Sequence, residues 1–138
     1  VNAQLNGEIQ HKKLNNFIQQ EVQRPTDKSK INLNYVLIKW QQINNLRNEL
    51  SVAEATSENI KLKKYINEFN AKDKNVQKAN VYHSIHEIVL YLIQGDVAKS
   101  KKLCQNGLEN AVQLKDTNLI LTAKYYLSNV LMAEKRFQ

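Results

Sequence analysis

Three glycines and one proline in 138 residues leave little material for tight turns. Sandwiches, barrels and nucleotide-binding α/β units use far more of both, because each hairpin or phosphate loop needs backbone that bends sharply. The scarcity excludes those classes and favours an all-α chain. One cysteine, Cys104, excludes an internal disulfide and fits a reducing, intracellular compartment. The longest apolar run, Ile88 to Ile93, is far too short to span a bilayer, for which roughly 20 residues are needed. No basic-then-apolar leader opens the chain, and no membrane association is expected. There is no GxGxxG and no Walker loop. The acidic residues form no recognisable acid–base pair. The sequence therefore names no enzyme and no cofactor.

What is present is charge and helical periodicity. Lys and Arg total 20 against 13 Asp and Glu, a net charge of +7. The excess is spread: residues 1–75 carry 12 basic and 8 acidic side chains, and residues 76–138 carry 8 and 5. Its densest clusters are Lys61-Lys63-Lys64 and Lys99-Lys101-Lys102, each read as a solvated helix face. Such a charge speeds the approach of an acidic partner. It also raises a rival reading, a nucleic-acid-associated helical domain, although only three arginines (Arg24, Arg47 and Arg136) are available to read bases.

Apolar residues repeat at three and four along six stretches. A first helix is expected over about 3–24, with Leu5, Ile9, Leu14, Phe17, Ile18 and Val22 in one stripe. Arg24-Pro25-Thr26-Asp27 breaks it. Asp27 or Ser29 would cap a second helix over about 31–50, with Trp40 as a packing anchor. Residues 51–58 read as a loop or a fraying helix, with Thr56 or Ser57 capping a third helix to about Asn70. A fourth helix covers about 76–94 and stops at Gly95, whose lack of Cβ tolerates the left-handed conformation. Asp96 caps a fifth, about 97–115. Asp116-Thr117-Asn118 opens a sixth, about 119–134, after which Lys135-Arg136-Phe137-Gln138 starts another turn. Short connections make consecutive helices antiparallel neighbours.

Leu92-Ile93-Gln94-Gly95-Asp96-Val97 and Met132-Ala133-Glu134-Lys135-Arg136-Phe137 match at an offset of 40, with one helix–turn–helix unit between them. Periods near 34–47 with two helices per unit mark α-solenoids. Gly95-Asp96-Val97, Tyr91, the small residues Ser100 and Gly107, Cys104, and the pair Leu127-Ser128 together resemble a tetratricopeptide repeat. Ser84, Glu87 and Ile88 depart from that family's pattern, and no proline closes the unit. The likeness is to the extended, roughly 40-residue subtype, as in a cohesin-loader family, a subunit of the anaphase-promoting complex and bacterial peptide-sensing regulators. It covers residues 76–138: one helix–turn–helix repeat and the first helix of the next. Residues 1–75 would be degenerate repeats or a helical cap. The chain opens on Val1, and a piece of a longer protein is expected.

The resemblance implies antiparallel helical hairpins stacked as an α-solenoid, acting as a non-catalytic scaffold that binds another protein or a peptide segment within a multisubunit assembly. In the family's register Tyr82, His86, Thr122 and Tyr126 would line a concave groove, and Asn129 would offer its amide to a bound backbone. Alternatives are a peptide-sensing regulator domain and the nucleic-acid reading above. His83 and His86, with Glu87 beside them, have a spacing that can hold zinc, but no second ligand set accompanies them. Cys104 sits at an apolar helical position and reads as a buried structural thiol.

Overall fold

A computed structural model describes residues 23–136. Within them the chain is all helical: α1 (Leu33–Asn48), α2 (Val52–Ile66), α3 (Lys74–Ile93), α4 (Val97–Gln113) and α5 (Thr117–Arg136). The helix expected over 3–24 falls almost wholly outside these residues. Gln23 and Arg24, which are described, are not helical. Arg24 forms an ion pair with Glu68 and lies 5.4 Å above the Tyr65 ring, which ties the entering segment to the end of α2.

Carboxylate and amide caps set the helix starts. Asn32 accepts from the Tyr35 amide, Asp73 from those of Asn75 and Val76, Asp96 from Lys99 and Asp116 from Leu119. Each satisfies an N–H that the helix itself leaves unpaired. Asp27 and Ser29 do not cap α1. The Asp27 carboxylate is occupied by the amide and hydroxyl of Ser29 in a local turn.

Three helices end in the same way. Leu50, Gly95 and Lys115 all have positive φ, at 63°, 84° and 54°. In each case the next residue donates its amide back to a carbonyl five residues earlier: Ser51 to Leu46, Asp96 to Tyr91, and Asp116 to Ala111. This is the paired main-chain closure of a helix C-terminus. The residue that closes one helix sits directly before the cap of the next, so α1–α2, α3–α4 and α4–α5 turn on two-residue corners. Residues 52–58, expected to be a loop or a fraying end, are helical. Thr56 and Ser57 lie inside α2, and the Thr56 hydroxyl donates to the Val52 carbonyl one turn back. At the other end α5 continues through Arg136, so Lys135-Arg136 is not a turn. Lys135 and Arg136 complete a last turn whose carbonyl dipoles favour cations.

The packing order defines the architecture. Each helix contacts the next, α1 also contacts α3, and α3 also contacts α5; no other pair of these helices meets. So α1, α3 and α5 form one layer, while α2 and α4 form a second whose members do not touch. A closed bundle would bring the first and last helices together. This is an open series of antiparallel hairpins. Val36, Ile43, Ala55, Leu62, Tyr65, Ile66, Val76 and Ala79 fill the core between α1, α2 and the start of α3. Val81, Ala111 and Leu119 join α3, α4 and α5 at one level, and Ile88, Cys104 and Val130 join them at another.

Small residues make the α3–α4 crossing close. Ser100 is fully buried and donates from Oγ to the Ile88 carbonyl at 2.7 Å. Gly107 lies opposite Ser84, whose Oγ would be 3.7 Å from an added Cβ. Cys104 reaches the Ala123 carbonyl on the far side at 3.5 Å.

Candidate functional site

A cleft opens where α2 packs against α3. Thr56, Asn59, Ile60, Lys63 and Lys64 of α2 form one wall; His83, Glu87, Leu90, Tyr91 and Gln94 of α3 form the floor. The open cleft has a volume of about 360 Å³. On the α4 side, the Lys99 ammonium lies 4.4 Å from the centre of the Tyr91 ring. A cation over an aromatic face is held electrostatically even where it is exposed.

The floor is rigid. His83 is buried and bridges two helices: Nδ1 is 3.0 Å from Asn59 Oδ1 and Nε2 is 2.5 Å from Glu87 Oε1. The His83 hydrogen bond holds the Glu87 carboxyl below its usual range against the opposing effect of burial, with Lys63 and Lys99 adding to the lowering. Glu87 is thus a fixed negative charge among lysines. Lys63 donates to Asn80 Oδ1 at 2.6 Å, while Lys64 is exposed on the rim.

The two lysine clusters of the sequence are therefore not equivalent solvated faces. Each gives one member to an ion pair, Lys61 to Glu58 and Lys101 to Glu134. Lys63 and Lys64 line the cleft, and Lys99 of α4 lies over the Tyr91 ring at its edge. With Glu87 between them, the cleft keeps an excess of positive charge. Ile60, Leu90 and the Tyr91 ring supply apolar surface beside it.

None of the five residues expected to line a groove belongs to this cleft. His86 is 0% exposed. Its ring stacks on Trp40, with centroids 5.1 Å apart, and Nε2 donates to the Trp40 carbonyl at 3.0 Å. Burial, with a contribution from the Arg47 charge, pushes the imidazole down to about 3, so the ring is neutral. That is a correction: His86 is part of the α1–α3 interface and is closed to a partner. Tyr82 is half-buried, edge-on to Trp40 at 6.0 Å. Trp40 is the packing anchor expected of it. Thr122, Tyr126 and Asn129 are each partly exposed on one side of α5. The Thr122 hydroxyl is tied to the Asn118 carbonyl, and Tyr126 packs on the Ile88–Cys104–Val130 cluster.

The cleft residues were missed, although their signal was present: lysine clusters on successive outer helices and the His83–Glu87 pair one turn apart. Among the described residues no group of three or more His, Cys, Asp or Glu side chains is placed to hold a metal ion. Cys104 is buried, and desolvation raises its thiol to about 11. No helix of the described residues is long and apolar enough to cross a membrane. The chain matches no protein-family model, and no curated protein or solved structure is significantly similar to it.

Proposed function

We propose that this chain is a non-catalytic interaction module of the helical-repeat kind, binding an acidic polypeptide segment in the cleft between α2 and α3. The observation that carries the reading is the cleft itself, a trough lined by Lys63 and Lys64 together with the apolar and aromatic side chains of Ile60, Leu90 and Tyr91, with Lys99 over the Tyr91 ring. Lysines recruit carboxylates and speed encounter, while Ile60, Leu90 and Tyr91 offer desolvated contact area. The tetratricopeptide-like turn and small-residue pattern of residues 91–107 support the same class of work, as does the open stacking of hairpins.

The test is calorimetric titration with short peptides of alternating Glu and Leu, beside matched peptides of Lys and Leu. The acidic peptides are expected to bind. Combined Lys63→Ala, Lys64→Ala and Lys99→Ala substitutions should weaken them about tenfold, as three charge contacts near the surface, each of a few tenths of a kcal/mol, imply. Unchanged affinity in that variant would refute the assignment. The net charge of +7 favours the rival partner, nucleic acid. Binding of duplex DNA with a steep salt slope, and no binding of acidic peptide, would replace the reading with that one.

A further inference from the structure

The cleft carries a charge pattern as well as a charge excess. Helices precede its α2 wall and follow its α3 floor, so it belongs to the interior of the series and not to an end face. Glu87 is the one acidic residue among those that line it. The lysines around it are held elsewhere. The Lys63 ammonium donates to Asn80 Oδ1 at 2.6 Å, and that of Lys99 lies 4.4 Å from the centre of the Tyr91 ring. Lys64 is exposed on the rim. Among the described residues the ion pair of Glu87 is with His83 alone.

That pair leaves half of the carboxylate free. Oε1 meets His83 Nε2 at 2.5 Å, no donor among the described residues reaches Oε2, and the side chain is 36% exposed. The position is fixed, because His83 is buried and its other ring nitrogen is bound to buried Asn59 on the facing wall. The charge is fixed as well. The His83 hydrogen bond holds the carboxyl below its usual range against burial, and Lys63 and Lys99 add to this through space.

The cleft therefore offers cations at its wall and edge and one set carboxylate in its floor. A uniformly acidic segment would place a carboxylate against Glu87, and like charges juxtaposed at an interface are costly. A cation placed there would take the free oxygen of Glu87 in a charge-assisted bond, while acidic neighbours met the lysines.

We infer that the segment bound in this cleft carries one lysine or arginine flanked by carboxylates, and that Glu87 selects it. The inference rests on the cleft reading above and adds a specificity to it.

The probes are two nine-residue peptides. One alternates Glu and Leu, beginning and ending on Glu; the other is identical except for Lys at its central position. In an extended segment these alternate side chains share a face. Attraction to a chain of net charge +7 by itself favours the all-acidic peptide. The inference requires the opposite order: in calorimetry the Lys-centred peptide should bind the full chain about tenfold more tightly. Glu87→Gln keeps an oxygen for the His83 bond and removes the charge, so in that variant the all-acidic peptide should bind more tightly. Equal affinities in the parent, or a preference there for the all-acidic peptide, would overturn the inference. The cleft reading would still stand if Lys63→Ala, Lys64→Ala and Lys99→Ala weakened that binding. A preference for the Lys-centred peptide that survives Glu87→Gln would also overturn the inference, since another carboxylate would then be the selector. Binding of neither peptide would end the cleft reading and this inference with it, as would a chain that sediments as a dimer and takes up neither.

Discussion

His86 should make the fold sensitive to mild acid, and the size of the effect follows from its surroundings. In the folded chain the ring is fully buried, stacks on Trp40 and titrates only at about 3. In the unfolded chain it titrates near 6.5. Between these values the unfolded state binds a proton that the folded state refuses. Stability is therefore complete above pH 6.5 and falls as pH drops toward 3, by about 1.4 kcal/mol per pH unit. Going from pH 7.5 to about pH 5 should cost roughly 2 kcal/mol from this one residue. The charged groups that oppose protonation are Arg47, buried in the same interface, and His83 on the same helix. Urea midpoints followed by circular dichroism at the two pH values measure the loss. His86→Leu is the comparison: it removes the titrating ring along with its bond to the Trp40 carbonyl. It should start less stable than the parent at neutral pH and lose roughly 2 kcal/mol less on acidification, so the two curves converge. Carboxylates with lowered pKa, such as Glu87 and Asp116, are common to both proteins and cancel in the difference. Parallel curves for parent and variant would refute the reasoning.

Four further outcomes follow from the helix corners and the α3–α4 crossing. Gly107→Ala should raise stability by about 0.5–1 kcal/mol in chemical denaturation, because the added methyl meets only Ser84 Oγ at 3.7 Å and a mid-helix glycine is entropically costly. Gly107→Leu in the same buried position should lower it by about 1–3 kcal/mol through overpacking. Leu50→Gly and Lys115→Gly should each raise the melting temperature, since both residues hold a left-handed conformation that costs an L-residue roughly 1 kcal/mol and Leu50 is 84% exposed; a fall in both would show that the corners draw on side-chain contacts. Cys104, with its thiol raised to about 11, should react with a thiol reagent at the rate of unfolding, and immediate labelling at mildly alkaline pH would place it at the surface.

The contrast between the two halves of the chain explains how much of the fold could be read from the residues. Gly95-Asp96 announces a corner because glycine adopts φ of 84° freely and aspartate caps. The same corner at Leu50-Ser51 is silent. Leucine is a strong helix former, and the corner is held by main-chain bonds to Arg47 and Leu46 that need no particular side chain. With that boundary hidden, Thr56 and Ser57 looked like caps. In the fold, the alanines and glutamate of Val52-Ala53-Glu54-Ala55 are simply the first turn of α2. The end of α5 misled for the opposite reason. Lys135-Arg136 takes the place of Gly95-Asp96 at the offset of 40, yet nothing there reverses the chain, and the side-chain register of 40 persists while the corner does not.

The candidate site was less legible, because whether a helix face is open depends on a neighbour that its own periodicity does not reveal. His86 and Tyr126 occupy equivalent positions 40 residues apart, and both were assigned to a groove. That face of α3 is covered by Trp40 of α1, and Tyr126 of α5 packs on the cluster that joins α3, α4 and α5. The direct α1–α3 and α3–α5 contacts use up the inner layer. The outer layer makes no such contact: α2 and α4 stand apart, and Lys63 and Lys64 line a cleft that stays open between α2 and α3. Charge clusters on successive outer helices therefore mark open surface, while the aromatic residues His86 and Tyr126 on the inner ones mark packing. An aromatic at an inter-helix seam lowers free energy by being covered, whereas a lysine resists being covered and marks where the stack stays open.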